Sequence, residues 1–221
     1  MLAKYSICIA FDADDRQMNH IDVASNRFKR LHVFNAVLTD KDRGNVPFYL
    51  TKSRYCSSVL KPDHQSLQNL LFADSFEVEQ KTEINLIDLP SVMNQLELKG
   101  IDWFKTDSKG TDLRLIKSLD DEIIKKVLVA EFEPGIIDAY QGEDKLYDVL
   151  AFMDGQPFWM SDIKILGTQR IKEATVTRYF NKIEKQLFSN FLRVSPGWAE
   201  VTFINTLQQE SLFNQSEYLL G

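Results

Sequence analysis

Ile101-Asp102-Trp103-Phe104-Lys105-Thr106-Asp107-Ser108-Lys109-Gly110-Thr111-Asp112 is the stretch on which the fold turns. Its first half, Ile101–Thr106, predicts a strand, and Asp107–Gly110 has the composition of a loop. Thr111–Leu119 then carries apolar residues at helical spacing, and Val127–Phe132 predicts a second buried strand. Strand, helix and strand at crossover length argue for a parallel sheet with helices on both faces.

The same alternation extends upstream. Tyr5–Phe11 is a continuous apolar run cut off by Asp12-Ala13-Asp14-Asp15, which reads as a buried parallel strand followed by a loop. A helix is expected from there to about Lys29. Leu31–Leu38 predicts one strand, Asp40–Gly44 a turn, and Val46–Thr51 another strand. A loop containing Pro62 follows, then a short helix near Gln65–Phe72 and an exposed, alternating strand over Phe76–Leu86. Asp88 before Leu89-Pro90 is a helix start, with Asp as N-cap and Pro in the first turn, and Gly100 is the expected stop.

Beyond Pro134 the order changes. Lys145–Met153 predicts a helix, and Val176–Leu192 predicts a long one whose apolar stripe reads as a packing face. Ser195-Pro196-Gly197-Trp198 predicts a turn into a last strand, Ala199–Ile204. The chain is expected to form one domain, with a core over residues 1–153 and a C-terminal elaboration over 154–221. Phe158, Trp159 and Trp198 in that elaboration can cover an acceptor, enter the core or form a dimer face.

With 221 residues, 44% hydrophobic and 26% charged, the chain suffices for one sizeable core. The net charge of −6 and the scattered Lys and Arg give no footprint for a nucleic-acid backbone. Cys8 and Cys56 lie far apart and away from the isolated His20, His32 and His64, so neither a disulfide framework nor a metal site is expected. The opening apolar run is too short for a membrane span, and a reduced, cytoplasmic setting is the default expectation.

Ligands of an open parallel sheet bind at the carboxyl ends of its strands. The candidates there are Asp12, Asp14, Asn35, Lys105, Asp107, Gly110, Glu131 and Glu133. A carboxylate after a strand matches the diol of an adenosine ribose, and Asp12 stands at such a place. Each of these residues also has a structural reading: Asp12 or Asp14 as a helix cap, Asp107 as the cap of the following helix, Lys105 as an ion-pair partner of Asp107 or Glu131, and Glu133 before Pro134 as a turn residue.

Taken in order, these pieces resemble the FkbM-type S-adenosylmethionine-dependent methyltransferases. Ala10-Phe11-Asp12-Ala13-Asp14 is similar to the family's strand-end Phe-Glu-Pro-Asp element, and Asn35-Ala36 to the Asn-Ala pair of its next strand. Ser57-Ser58-Val59-Leu60-Lys61-Pro62 resembles its Ser-Ser-Leu-x-x-Pro segment. Ile101–Asp112 is similar to its I-D-x-x-K-x-D-x-x-G-x-E signature, and Val129–Glu133 to its V-x-x-E-F strand.

The resemblance covers about Ser6 to Met153. It implies a Rossmann-like class I methyltransferase fold with a mostly parallel sheet and an antiparallel C-terminal strand. It also implies S-adenosylmethionine as cofactor, held by Asp12, Asp14, Asn35 and Gly110, with Asp107, Lys105 and Glu131 as catalytic residues and no metal. Its acceptor would be a hydroxyl of a small molecule or sugar; neither nucleic acid nor membrane is an expected partner, and a homo-oligomer is left open.

Two departures stand out. Asp112 replaces the family's glutamate, and the family's first strand and glycine loop have no counterpart among the four residues before Tyr5. That strand normally lies mid-sheet, so its loss would leave two neighbours without hydrogen-bond partners. An incomplete, non-catalytic domain is therefore the alternative. A metal-dependent glycosyltransferase, suggested by the Asp12-Ala13-Asp14 pattern, is a further one.

Overall fold

The structure, a computed structural model, describes residues 3–13, 27–39, 44–168, 173–191 and 195–208. Within them the chain is an α/β protein with mixed sheets. The strands are β1 (Ile7–Phe11), β2 (Arg30–Phe34), β3 (Val37–Thr39), β4 (Asn45–Thr51), β5 (Val78–Asp88), β6 (Trp103–Lys105), β7 (Val129–Phe132), β8 (Phe158–Thr168) and β9 (Ser195–Asn205). No described helix is long and apolar enough to cross a membrane.

The largest sheet has the order β6-β7-β9-β8, with β6 parallel to β7 and both β7–β9 and β8–β9 antiparallel. Strand side chains alternate faces, so the register sorts residues into rows. Phe104, Ala130 and Phe203 form one inner row, and Phe132 and Val201 the next. Their rings meet across the strands, Phe104 tilted against Phe132 at 5.8 Å and Phe132 edge-to-face with Phe203 at 6.0 Å between centroids. This inner face meets helices α2 (Leu89–Gln95), α3 (Asp112–Ile116) and α5 (Leu146–Asp154), which contribute Leu89, Met93, Leu113, Ile116, Val149 and Met153 to one core. On the outer face one row reads Trp103, Val129, Ile204, Trp159, and the next Lys105, Glu131, Thr202, Asp162. The outer face is wet: Trp103 is 62% exposed.

The remaining strands form two small sheets, β1-β2 and β3-β5-β4. The parallel pair β1–β2 is closed by stacked rings of Phe11 and Phe34 at 5.4 Å, and Phe11 also packs on the main core. Yet no residue of β1 or β2 is fully buried, contrary to the buried strand expected over Tyr5–Phe11. The run Leu31–Leu38 breaks at Asn35-Ala36 into β2 and β3, which join different sheets. Among the described pairings, β1–β2, β3–β5 and β6–β7 are parallel and β4–β5, β7–β9 and β8–β9 antiparallel. The sheet is therefore mixed rather than mostly parallel, because the long strands β5, β8 and β9 return as hairpin partners. The predicted last strand is present and antiparallel, whereas β8 had no sequence counterpart.

The predicted helix between Asp15 and Lys29 lies almost wholly outside the described residues. The turn expected at Asp40–Gly44 also lies outside them, except for Gly44. Helix α1 (His64–Leu67) is shorter than expected and is followed by a 3-10 turn at Ala73–Phe76. A short α4 (Asp121–Ile124) was not foreseen. The stripe over Val176–Leu192 falls into two helices, α6 (Glu173–Tyr179) and α7 (Lys182–Phe191). The break is made by Asn181, whose side-chain oxygen accepts from the amides of Ile183 and Glu184, while Glu184 accepts from the Asn181 amide. Its expected packing role is not met, since Ile183 and Leu187 are exposed.

Asp88 caps α2 as expected, its Oδ1 accepting from the Ser91 amide at 2.7 Å with Pro90 in the first turn. The helix stops earlier than Gly100, at Leu96, where Glu97 takes a left-handed φ of 57°. Replacing Asp88 by Ala should lower unfolding free energy by about 1 kcal/mol in urea denaturation, the ordinary cost of a lost N-cap.

Candidate functional site

Strands β6 and β7 run parallel, so their carboxyl ends deliver two segments side by side: Thr106–Thr111 and Glu131–Pro134. The first is shaped by Asp112, which is fully buried in the first turn of α3. Its Oδ1 accepts from Thr106 Oγ1 (2.8 Å), Ser108 N (3.0 Å) and Ser108 Oγ (2.9 Å). Ser108 Oγ in turn accepts from the Thr111 amide at 3.0 Å. Asp112 Oδ2 has no hydrogen-bond partner among the described residues. Burial pushes the Asp112 carboxyl above the usual carboxylate range, against the pull of these three donors.

Two neighbouring segments brace the loop from outside. Ser58 Oγ donates to the Lys109 carbonyl at 2.9 Å while accepting from the Leu60 amide. This gives the Ser57–Pro62 stretch a structural task. Lys109 and Gly110 both lie at positive φ, 55° and 106°, and a Cβ on Gly110 would stand 2.7 Å from Glu143 Cβ. Glu143 is itself pinned. Its carboxylate, with the side chain 3% exposed, accepts from the amides of Ala139 (2.7 Å) and Tyr140 (3.3 Å) and from Lys145 Nζ (2.7 Å).

What projects from this frame is a group of carboxylates and ammoniums. Lys105 Nζ lies 3.5 Å from Glu131 Oε2 and 3.8 Å from Glu133 Oε1. Asp107 is ion-paired with Lys109 and stands beside Glu133, close enough for its charge to act on that carboxyl. Burial of Glu133, followed by the charge of Asp107 beside it, raises the Glu133 carboxyl to about 7. A carboxyl raised to about 7, as that of Glu133 is, is suited to accept a proton from a hydroxyl. Lys105, Glu131 and Glu133 line a cleft of about 180 Å³ whose far wall is Asp162, Lys164 and Glu200.

Three of the expected catalytic residues, Lys105, Asp107 and Glu131, thus come together, with Gly110 in the same loop. Asp12 and Asn35 form a second group at the carboxyl ends of β1 and β2, where the Asp12 amide donates to the Phe34 carbonyl at 3.1 Å. Asp14 lies outside the described residues. Glu133 is among the strand-end candidates, but Pro134 favours reading it as a turn residue, and it is not among the expected catalytic residues. The signal that raises it is register: it stands one step past β7, beside the loop that carries Asp107 two residues beyond β6.

Gly110→Ala should cost more than about 1 kcal/mol of stability in urea denaturation, from positive φ and the contact with Glu143. Glu133 binds its proton more tightly folded than unfolded, so its stabilising share is present at low pH and is lost as pH rises toward about 7. Between pH 4.5 and 7 the thermal midpoint of the native chain should therefore fall relative to that of Glu133→Gln, and above 7 the two curves should run parallel. No family model, curated protein or solved structure matches this chain.

Proposed function

We propose that this chain is an S-adenosylmethionine-dependent O-methyltransferase of Rossmann-like fold, acting on a hydroxyl of a small molecule or sugar. The observation that carries the reading is the division of the sheet. β1 pairs only with β2 and β6 only with β7, so each keeps one edge without a strand among the described residues. Open, parallel edges are what the resemblance implies where a central strand is not paired.

What supports the cofactor is the adenosine side alone. Asp12 after β1 offers a carboxylate suited to a ribose diol and Asn35 stands at the matching end of β2, whereas the space beside Gly110 is filled by Glu143 and Leu60. The bound cofactor would supply the methyl group as a sulfonium. The protein's part is to orient the acceptor hydroxyl and take its proton as the new C–O bond forms. Glu133, beside Asp107, is the acceptor of that proton, and Lys105 reaches both Glu131 and Glu133.

A second reading, an incomplete domain that does not catalyse, draws on the cleft volume. About 180 Å³ is less than the roughly 300 Å³ from which ordinary ligand sites begin. A metal-dependent glycosyltransferase remains the third, and manganese-dependent ligand binding would be its mark.

Calorimetric titration with S-adenosylhomocysteine separates them. Micromolar binding without added metal, weakened at least roughly tenfold (about 1.4 kcal/mol) in Asp12→Ala, is the expected result. A folded chain that takes up no heat with this ligand overturns methyl transfer by this polypeptide alone.

A further inference from the structure

Strand β8 is eleven residues long and, among the described residues, bonds a strand on one edge only. Long edge strands invite pairing with another chain unless charge, bulges or cover prevent it. Here the edge carries large apolar side chains: Trp159, Met160, Ile163 and Ile165 are 52%, 45%, 38% and 51% exposed. Two charges stand among them, Asp162 and Lys164, one on each side of Ile163 in sequence. Their contacts within the chain are long, Lys164 Nζ lying 4.0 Å from Asp162 Oδ2 and 3.5 Å from Glu200 Oε2.

We propose that the free edge of β8 is the interface of a homodimer, in which two copies pair antiparallel about a two-fold axis at Ile163. In that register Ile163 meets Ile163 of the second copy. Asp162 of each chain then faces Lys164 of the other, on the same side of the joined sheet. Directly opposite residues of an antiparallel pair stand with Cβ atoms roughly 5 Å apart, close enough for these charges to bond.

The alternatives are penalised. A shift that puts the axis at Lys164 sets Lys against Lys, and in-register parallel pairing sets each charge beside its like. A purely protective charge would stay unmatched in every register, whereas this pair is matched in one. The result is the self-complementary contact that two-fold symmetry requires. The irregularity between Met160 and Asp162, where Ser161 is the extra residue of β8, starts the regular edge at Asp162; that between Leu166 and Gly167 skips Gly197 and so belongs to β9. The contact is therefore centred on Ile163, with Trp159 and Met160 as its apolar flank. The test reads mass alone and does not rest on methyl transfer, although Asp162 and Lys164 also form the far wall of the cleft.

The test is the mass of the chain in solution by sedimentation equilibrium. The native chain should be dimeric, and Asp162→Lys and Lys164→Asp should each weaken the dimer at least roughly tenfold by making both cross-strand pairs like-charged. Mixing the two variants should restore dimers, because each copy then meets opposite charges. A native chain that is monomeric at about 100 µM, well above a micromolar Kd, overturns the proposal. So does a dimer indifferent to both substitutions, or a mixture that stays monomeric. Should a variant lose its fold by circular dichroism, amide exchange in the native chain decides. Protection of 162–166 that rises with concentration supports the interface, and protection that does not rise refutes it.

Discussion

The carboxylate of Asp112 is the constraint from which the rest of the site follows. One of its oxygens gathers three donors from Thr106 and Ser108, and so dictates how the chain leaves β6 and enters α3. The other oxygen has no hydrogen-bond partner among the described residues. A buried polar atom left without a partner costs free energy, on the order of 1–3 kcal/mol. Among those residues the interaction that shapes the loop is only half satisfied. A side chain as short as aspartate keeps the carboxylate close to its own loop.

Around this point three distant segments meet. Ser58 reaches Lys109 from one side, Glu143 closes on Gly110 from another, and Glu133 approaches Asp107 across the parallel ladder. The Glu143 side chain is enclosed, and the Lys145 ammonium and two amides offset its desolvation. Its carboxylate also stands where a Cβ on Gly135 would fall, 2.7 Å away. Two glycines and one buried ion pair thus fix how closely the walls of the site approach.

Local chemistry was legible in the sequence where it acts over a few residues. Asp88 before Leu89-Pro90 started a helix, the alternation over Phe76–Leu86 was a strand, and Ala199–Ile204 closed the chain as foreseen. Signals that depend on register or on distant partners were not. The alternating Asp162–Ile165 is plain afterwards, but the irregularity at Ser161 shifts its phase against the preceding aromatic residues, and no strand was expected. Leu31–Leu38 reads as one apolar run although Asn35 and Ala36 turn the chain into another sheet. The apolar stripe after Val176 runs through Asn181 unbroken, yet that side chain caps a new helix. Glu133 acquires its character from burial first and then from the charge of Asp107, neither of which a window around Pro134 contains.

The pairing of Thr168 with Ser195 has a consequence for how the chain can vary. The polypeptide between them leaves the sheet and returns to it at one point, so the register of β8 on β9 holds whatever its length. Loop-closure entropy grows only with the logarithm of length, by roughly 0.6 kcal/mol per doubling. The tip of this hairpin is therefore a port in the fold, where material of another size or kind can be exchanged without disturbing the rows of side chains that build the cleft.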